Sequence, residues 1–208
     1  MSPRSIIPRS YGPLGLVVMA IPVLLRAQEP AYRQFTAADG LPSQVVYCAA
    51  QDPDGYMWFG TDGGACRFDG STFKTYTTSD GLSDNEVLKI LCDSRGRVWF
   101  LTLNGKLSYY KDGRIFNEKG DPALAKIHGR MGIPVGVEDV NGDLYFGSMS
   151  GEAFRLRDDQ VTVFNMIDPA RGNASGVNLL HSSTQGIIGI ANRKFHQFAA
   201  SGSSAPRP

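Results

Sequence analysis

Four kinds of residue in this sequence have the types and spacing to do chemistry. Asp52-Pro-Asp54-Gly55 and Asp139-Val-Asn141-Gly142 carry the alternating oxygen donors and glycine that open a calcium loop. Neither is followed by the further ligands and distal Glu of a full site, and Asp, Asn and Gly are also what tight turns demand, so both read as turns. Trp58, Trp99 and Tyr145 could make a ring of aromatic platforms for a sugar. Their fixed place inside apolar runs reads instead as packing, because large aromatics dominate buried cores. His128, His181 and His196 are the acid–base candidates, yet no Cys or carboxylate pattern surrounds them to suggest a triad or a metal cluster. Cys48, Cys66 and Cys92 miss the clustered spacing of a zinc site. An odd, low cysteine count is no disulfide framework, and sequence does not choose which pair would join. Cys48 and Cys92 lie in apolar runs, where a cysteine behaves as a small buried hydrophobe. The sequence therefore assigns no catalytic, cofactor-binding or metal-ligating residue, implies no cofactor, and leaves the ligand-binding residues unknown.

What positions these residues is a repeat. Asp52-Pro-Asp-Gly-Tyr-Met-Trp-Phe-Gly-Thr61 returns as Asp93-Ser-Arg-Gly-Arg-Val-Trp-Phe-Leu-Thr102 and again as Asp139-Val-Asn-Gly-Asp-Leu-Tyr-Phe-Gly-Ser148. The leading Asp, the Gly, the aromatic and the Phe keep their spacing in every copy, and a period of about 40 residues built of short β-rich pieces is the signature of propeller blades. The second copy shows the unit: strands over Glu86–Leu91, Arg97–Thr102, Lys106–Tyr110 and Arg114–Phe116, joined by tight turns at Asp93–Gly96, Asn104–Gly105 and Asp112–Gly113. Asn104-Gly105 is a turn and not a phosphate loop, since no helix follows it. In the first copy Asp39-Gly-Leu41, Val46 and Ala49 stand where Asp80-Gly-Leu82, Val87 and Ile90 stand in the second. The third unit runs from about Val135 to Phe164, and Asn117–Pro122 replaces its opening Asp-Gly-Leu with a loop. A fourth copy, over Gly186–Ile190 and Lys194–Phe198, has lost both the Asp and the aromatic. The expected fold is all-β: four-stranded antiparallel blades, three to four of them, forming a partial or incomplete propeller.

Composition agrees. The 24 glycines and 10% aromatics suit tight turns between aromatic-rich strands, and a formal net charge of +1 carries no footprint for nucleic acid. Arg4 and Arg9 precede an uncharged apolar run, Leu14 to Leu25, and Ala27 then offers a cleavage position, the layout of a secretory signal peptide over 1–27. The apolar run contains Pro22 and is shorter than the roughly 20 residues that span a bilayer, so no stable membrane span is expected after cleavage; an uncleaved chain would be membrane-anchored. Residues 28–34 read as a linker, 35–197 as the propeller-repeat region and 198–208 as a small, polar, Pro-containing disordered tail. The expected location is periplasmic or secreted.

Asp39-Gly-Leu-Pro-Ser43, Val46, Asp52, Gly55, Trp58-Phe-Gly-Thr61, Gly64 and Arg67-Phe68 together resemble the two-component regulator propeller repeat. Asp80-Gly-Leu-Ser83, Val87, Asp93, Gly96, Trp99-Phe100, Thr102 and Gly105 resemble it equally, and the third copy departs at Tyr145 and Ser148. The resemblance covers roughly residues 35 to 164. It implies the extracytoplasmic sensor part of a hybrid histidine kinase, here partial and without the kinase.

Three functional expectations follow. The first is a ligand-binding sensor module that recognises a glycan or other small molecule without catalysis, through loops at one end such as Asp62-Gly63 and Asn104; the use of loops is an analogy from fold to function. The second, an enzyme, is a propeller-fold lyase or hydrolase acting on an exported substrate. The third is a truncated, non-functional sensor fragment. Three or four blades are at the low end of the four to eight that close a propeller, so self-association or a partner protein is expected to complete the ring.

Overall fold

The computed structural model describes residues 32–166, 176–183, 186–191 and 194–198. The signal peptide expected over 1–27, residues 28–31 of the linker and residues 199–208 of the tail lie outside them. The blades belong to one compact unit that begins at Gln34.

Each repeat is one antiparallel sheet. The first blade holds β1 (Val46–Gln51), β2 (Met57–Thr61), β3 (Ala65–Phe68) and β4 (Phe73–Tyr76) in that order. The second holds β5 (Val87–Cys92), β6 (Val98–Thr102), β7 (Leu107–Lys111) and β8 (Arg114–Phe116). The third holds β9 (Val135–Glu138), β10 (Leu144–Gly147), β11 (Glu152–Arg157) and β12 (Gln160–Asn165). The weakest copy is a blade as well: β13 (Val177–Ser183), β14 (Gly186–Ala191) and β15 (Lys194–Phe198) make a sheet of three described strands. The expected all-β propeller stands, with strands of the second copy displaced by no more than one residue from their sequence positions. The loop expected at Asn117–Pro122 leads into a short 3₁₀ turn, Leu124–Lys126.

The recurring Asp explains the motif. Asp52 Oδ1 accepts the Tyr56 amide at 2.9 Å, and Oδ2 accepts the indole Nε1–H of Trp58 at 2.7 Å. Asp93 does the same with more donors: Oδ1 takes the amides of Arg95 and Arg97, and Oδ2 takes Trp99 Nε1 at 2.8 Å and Arg97 Nε at 2.6 Å. One carboxylate thus closes the β1–β2 type of turn and fixes the aromatic that packs between blades. In the third blade Oδ1 of Asp139 accepts the amides of Asn141 and Asp143, but Oδ2 is buried without a partner. Tyr145, unlike tryptophan, has no indole N–H to offer it. The glycine of the turn follows from backbone geometry: Gly55, Gly96 and Gly142 have φ of 89°, 74° and 80°, where a side chain is strained. The would-be calcium loops are these turns.

Blades pack by aromatic interdigitation. Trp58 of the first blade lies 5.5 Å from the ring of Phe100 in the second, and Trp99 lies 5.4 Å from Phe146 in the third. Bulk is traded across each interface. A Cβ on Gly60 would stand 2.6 Å from the Val87 carbonyl oxygen, and one on Gly147 would stand 2.6 Å from Val177 Cγ1. Leu101 occupies the corresponding place in the second blade and meets Gly136. Trp58, Trp99 and Tyr145 are buried to 0%, 0% and 1%, so they are core and not platforms. Leu124 and Ile127, from the segment that replaces the third Asp-Gly-Leu, fill the core between blades two and three.

The cysteines are free thiols. Cys66 is fully buried, whereas Cys48 and Cys92, expected to be buried, are only half so. Burial pushes the Cys66 thiol up to about 12 and, with the Asp52 and Asp93 carboxylates adding to it, the Cys92 thiol up to about 11; burial also raises Cys48.

Two outcomes are expected. Replacing the turn carboxylates by alanine should destabilise the chain in the order Asp93 > Asp52 > Asp139. The first should cost about 3 kcal/mol in denaturant unfolding, because it orphans a buried indole N–H and the Arg97 guanidinium together. At about pH 8 a disulfide reagent should modify the folded chain slowly, Cys66 slowest, and all three thiols should react at once in denaturant. Fast native reaction at Cys66 would contradict its placement.

Candidate functional site

In an antiparallel blade the second hairpin and the exit to the next blade fall at the same end of the sheet. Here that end holds the turns Thr61–Gly64, Thr102–Gly105 and Ser148–Gly151, together with the connections 77–86 and 117–134. Both loop positions singled out in the sequence lie there. Asp62 is exposed, and Gly63 donates its amide to Thr61 Oγ1 at 3.1 Å. Asn104 is engaged within the fold. Its Nδ2 donates to the Ser83 carbonyl at 2.7 Å, while its Oδ1 accepts the Thr102 hydroxyl at 2.8 Å and the Lys106 amide at 3.0 Å. These bonds tie the second blade's hairpin to the chain entering that blade.

The third blade supplies what the repeat did not foretell. The position held by Ala65 in the first blade and Lys106 in the second is Glu152, and its carboxylate is buried. Glu152 Oε2 accepts the hydroxyls of Ser148, at 2.9 Å, and of Ser150; Oε1 pairs with Arg130 Nε at 3.3 Å. Burial works to raise the Glu152 carboxyl, but the Ser150 and Ser148 hydroxyls and the Arg130 charge outweigh it and hold the group below its usual value of 4.5. Arg130 itself remains largely solvent-exposed.

Around this group the loops lie backbone on backbone. Gly129 donates to the Gly105 carbonyl at 2.8 Å, Ile133 to Thr102 at 3.1 Å, Met149 to Gly132 at 2.8 Å, and Met131 to Ser150 Oγ at 3.3 Å. Such contact requires glycine: a Cβ on Gly129 would come within 2.5 Å of Ser148 Oγ. The rigid wall leaves Leu103, Met131 and Met149 exposed at 40%, 54% and 40%. Apolar tips thus stand beside an arginine and a buried carboxylate. At the same end of the blades, a cavity of about 250 Å³ is lined by residues including Ser83, Lys106, Asn117 and Glu118, with Lys106 Nζ on Glu118 at 2.6 Å. Such a surface can hold a polar ligand that has an apolar face.

The histidines are dispersed. His128 is exposed in the connection before β9, and His181 and His196 lie on β13 and β15, either side of β14. No ion pair joins a histidine to a carboxylate among the described residues. Sequence reasoning missed Glu152 and Arg130. Glu152 carried one signal, a carboxylate where the other copies have Ala and Lys; Arg130 carried none, because it lies where the repeat is interrupted.

The Glu152 cluster should be visible in acid. A carboxyl held below its unfolded value stabilises the fold above about pH 4.5, and that contribution is lost as pH falls through the folded value. The stability difference between the wild type and Glu152→Gln should therefore narrow below that pH in thermal melts; an unchanged difference would remove the carboxylate from the cluster's energetics.

Comparison with known proteins places the fold. Residues 40–63 and 81–104 match the family described as two component regulator propeller. No curated protein sequence matches the chain. Among solved structures, virginiamycin B lyase from Staphylococcus aureus is similar with a TM-score of 0.54 and 18% identity, over 76% of this chain and 54% of the lyase chain. Two extracellular domains of hybrid two component systems from B. thetaiotaomicron are similar at TM-scores of 0.44 and 0.46, with 20% and 14% identity over 81% and 79% of this chain. The chain spans only 30% and 31% of those two. The lyase likeness shows the propeller fold and nothing of activity. Among the described residues no helix is long and apolar enough to cross a membrane. Both segments that match the two component regulator propeller family contain an Asp–Trp turn, so over its first two repeats the chain is similar to that family in sequence and is folded as propeller blades.

Proposed function

We propose that the chain is an extracytoplasmic, ligand-binding sensor module of a two-component signalling protein, and that it takes a glycan or another small polar molecule at the loop end of its second and third blades. The match to the two component regulator propeller family supports the signalling class, and the apolar run after Arg4 and Arg9 supports export. The observation that carries the ligand site is the loop wall. Its backbone is locked by glycine-to-carbonyl contacts, yet its tips Leu103, Met131 and Met149 face solvent beside Arg130. Exposed apolar groups clustered beside polar ones mark interaction sites and ligand-binding grooves. A sugar ring offers hydroxyls to the arginine and C–H faces to the methionines.

The test is a thermal-shift and calorimetric screen of the chain against neutral and acidic oligosaccharides, paired with pulldown of envelope proteins. A binder should raise the melting temperature, and Arg130→Ala or Met131→Ala should weaken it about tenfold, about 1.4 kcal/mol. Silence in both screens would sink the sensor reading. Product formation from a screened saccharide would favour the alternative, a propeller-fold lyase or hydrolase.

A further inference from the structure

The first and third blades pair their strands in the same register. Gly60, Ala65 and Tyr76 lie side by side across β2, β3 and β4, as Gly147, Ala153 and Phe164 do across β10, β11 and β12. Trp58, Arg67 and Lys74 likewise stand where Tyr145, Arg155 and Thr162 stand. The third blade therefore fills with a phenylalanine and a threonine the places that the first gives to a tyrosine and a lysine. What the first blade has in excess is one hydroxyl and one positive charge.

Neither excess is used within the fold. Tyr76 is 4% exposed, and its hydroxyl is buried without a hydrogen-bond partner. The Tyr110 hydroxyl is a neighbour, but no hydrogen bond of ordinary geometry joins the two, and Tyr110 Oη accepts Arg67 Nη1 at 3.0 Å. A buried hydroxyl left unpaired destabilises the fold, and a phenylalanine would pack there, as Phe164 does, without that cost. Lys74 stands directly opposite Arg67, and like charges so placed repel. Among the described residues neither belongs to an ion pair, and nor does Arg114 on the edge strand of the next blade.

Tyr76, Lys74 and Arg114 come together at one place. With Asp80, Gly113 and Ile115 they line a cavity of about 330 Å³ between the edge strands β4 and β8. Lys74 Nζ lies 5.1 Å from the centre of the Tyr76 ring. Asp80, the carboxylate of this lining, already caps a turn: its Oδ2 accepts the Thr77 amide at 2.9 Å and the Thr77 hydroxyl at 3.2 Å. Two unpaired cations and an unpartnered hydroxyl thus share one cavity.

We infer that this cavity is an anion-binding site, separate from the loop-end surface, that takes a phosphate or sulfate group, free or carried on a small ester. Lys74 supplies a point charge and Arg114 a planar fork, the two cationic partners of such groups. Tyr76 supplies a buried hydrogen-bond donor that packing alone does not call for. Three donor groups suit an anion with three or more oxygens better than a carboxylate with two. Its oxygens would pair the hydroxyl and offset the repulsion between Lys74 and Arg67. The volume is in the lower range of small-molecule sites, which leaves room for the body of an ester.

The test is isothermal titration calorimetry of the chain, at constant ionic strength, with inorganic phosphate, sulfate and glycerol phosphate, and with glycerol as the uncharged control. The anions should bind and glycerol should not. Tighter binding of glycerol phosphate than of inorganic phosphate would identify an ester as the source, and the reverse order the free ion. Lys74→Thr and Arg114→Gln, both at exposed positions, should each weaken anion binding about tenfold, whereas Lys126→Thr, exposed on the 3₁₀ turn away from the cavity, should leave it unchanged. Tyr76→Phe should weaken binding about threefold or more and leave the melting temperature without anion unchanged or higher, which loss of a hydroxyl needed for the fold would not do. No anion heat beyond that of glycerol, an equal loss in Lys126→Thr and Lys74→Thr, or a Tyr76→Phe chain that melts lower yet binds the anion as before would overturn the inference.

Discussion

A buried carboxylate bonded to an indole N–H holds this architecture together. In the first two blades one Asp side chain does two jobs: it accepts the amides that close the turn, and it fixes the tryptophan by its only polar atom. A tryptophan buried without a partner would lose the hydration of its N–H with nothing in return, and a buried carboxylate without donors would fare worse. Joined, they satisfy each other and set the ring at the angle at which the next blade's phenylalanine meets it. Turn, strand and inter-blade core are therefore one unit of selection in the sequence, which is why they recur together.

The third and fourth blades show what happens as that interaction erodes. Tyr145 fills the aromatic place but leaves Asp139 Oδ2 unpartnered, and the blade survives on packing against Leu101, Leu124 and Ile127. The fourth blade has neither group and still forms a sheet, because its register keeps Ile187 and Ala191 against the third blade. The cost is borne at its other face, where Ile188 and Ile190 are only partly buried. Erosion of the motif is tolerated for one physical reason: blades are stabilised by neighbours more than by themselves.

The same logic bears on the proposed binding surface. One end of the blades is spent on Asp-anchored turns whose carboxylates accept the turn amides and, in the first two blades, the tryptophan indole. The other end is free to vary: its hairpin position runs Ala65, Lys106, Glu152 from blade to blade while the backbone around it stays locked. Variation on a rigid base is the ordinary way a repeat scaffold acquires a binding surface. The Arg130–Glu152–Ser150 group arises where the repeat is interrupted by the 117–134 connection, which brings Arg130 over the third blade.

The amino-acid order by itself determined the blade unit, the strand limits to within a residue in the second copy and the turn chemistry, because each is set by short-range spacing of Asp, Gly and aromatic residues; it left the number of blades at three or four, since the fourth copy lacks both the Asp and the aromatic. It also marked the three aromatics as core. It did not determine that Asp and Trp touch, that Gly60 and Gly147 are demanded by the neighbouring blade and not by their own backbone, or that Val46 is exposed while its twin Val87 is sealed. Val46 and Val87 occupy the same place in their repeats and differ only in whether another blade stands beside them, and that is decided across the stack, by contacts between residues far apart in the chain.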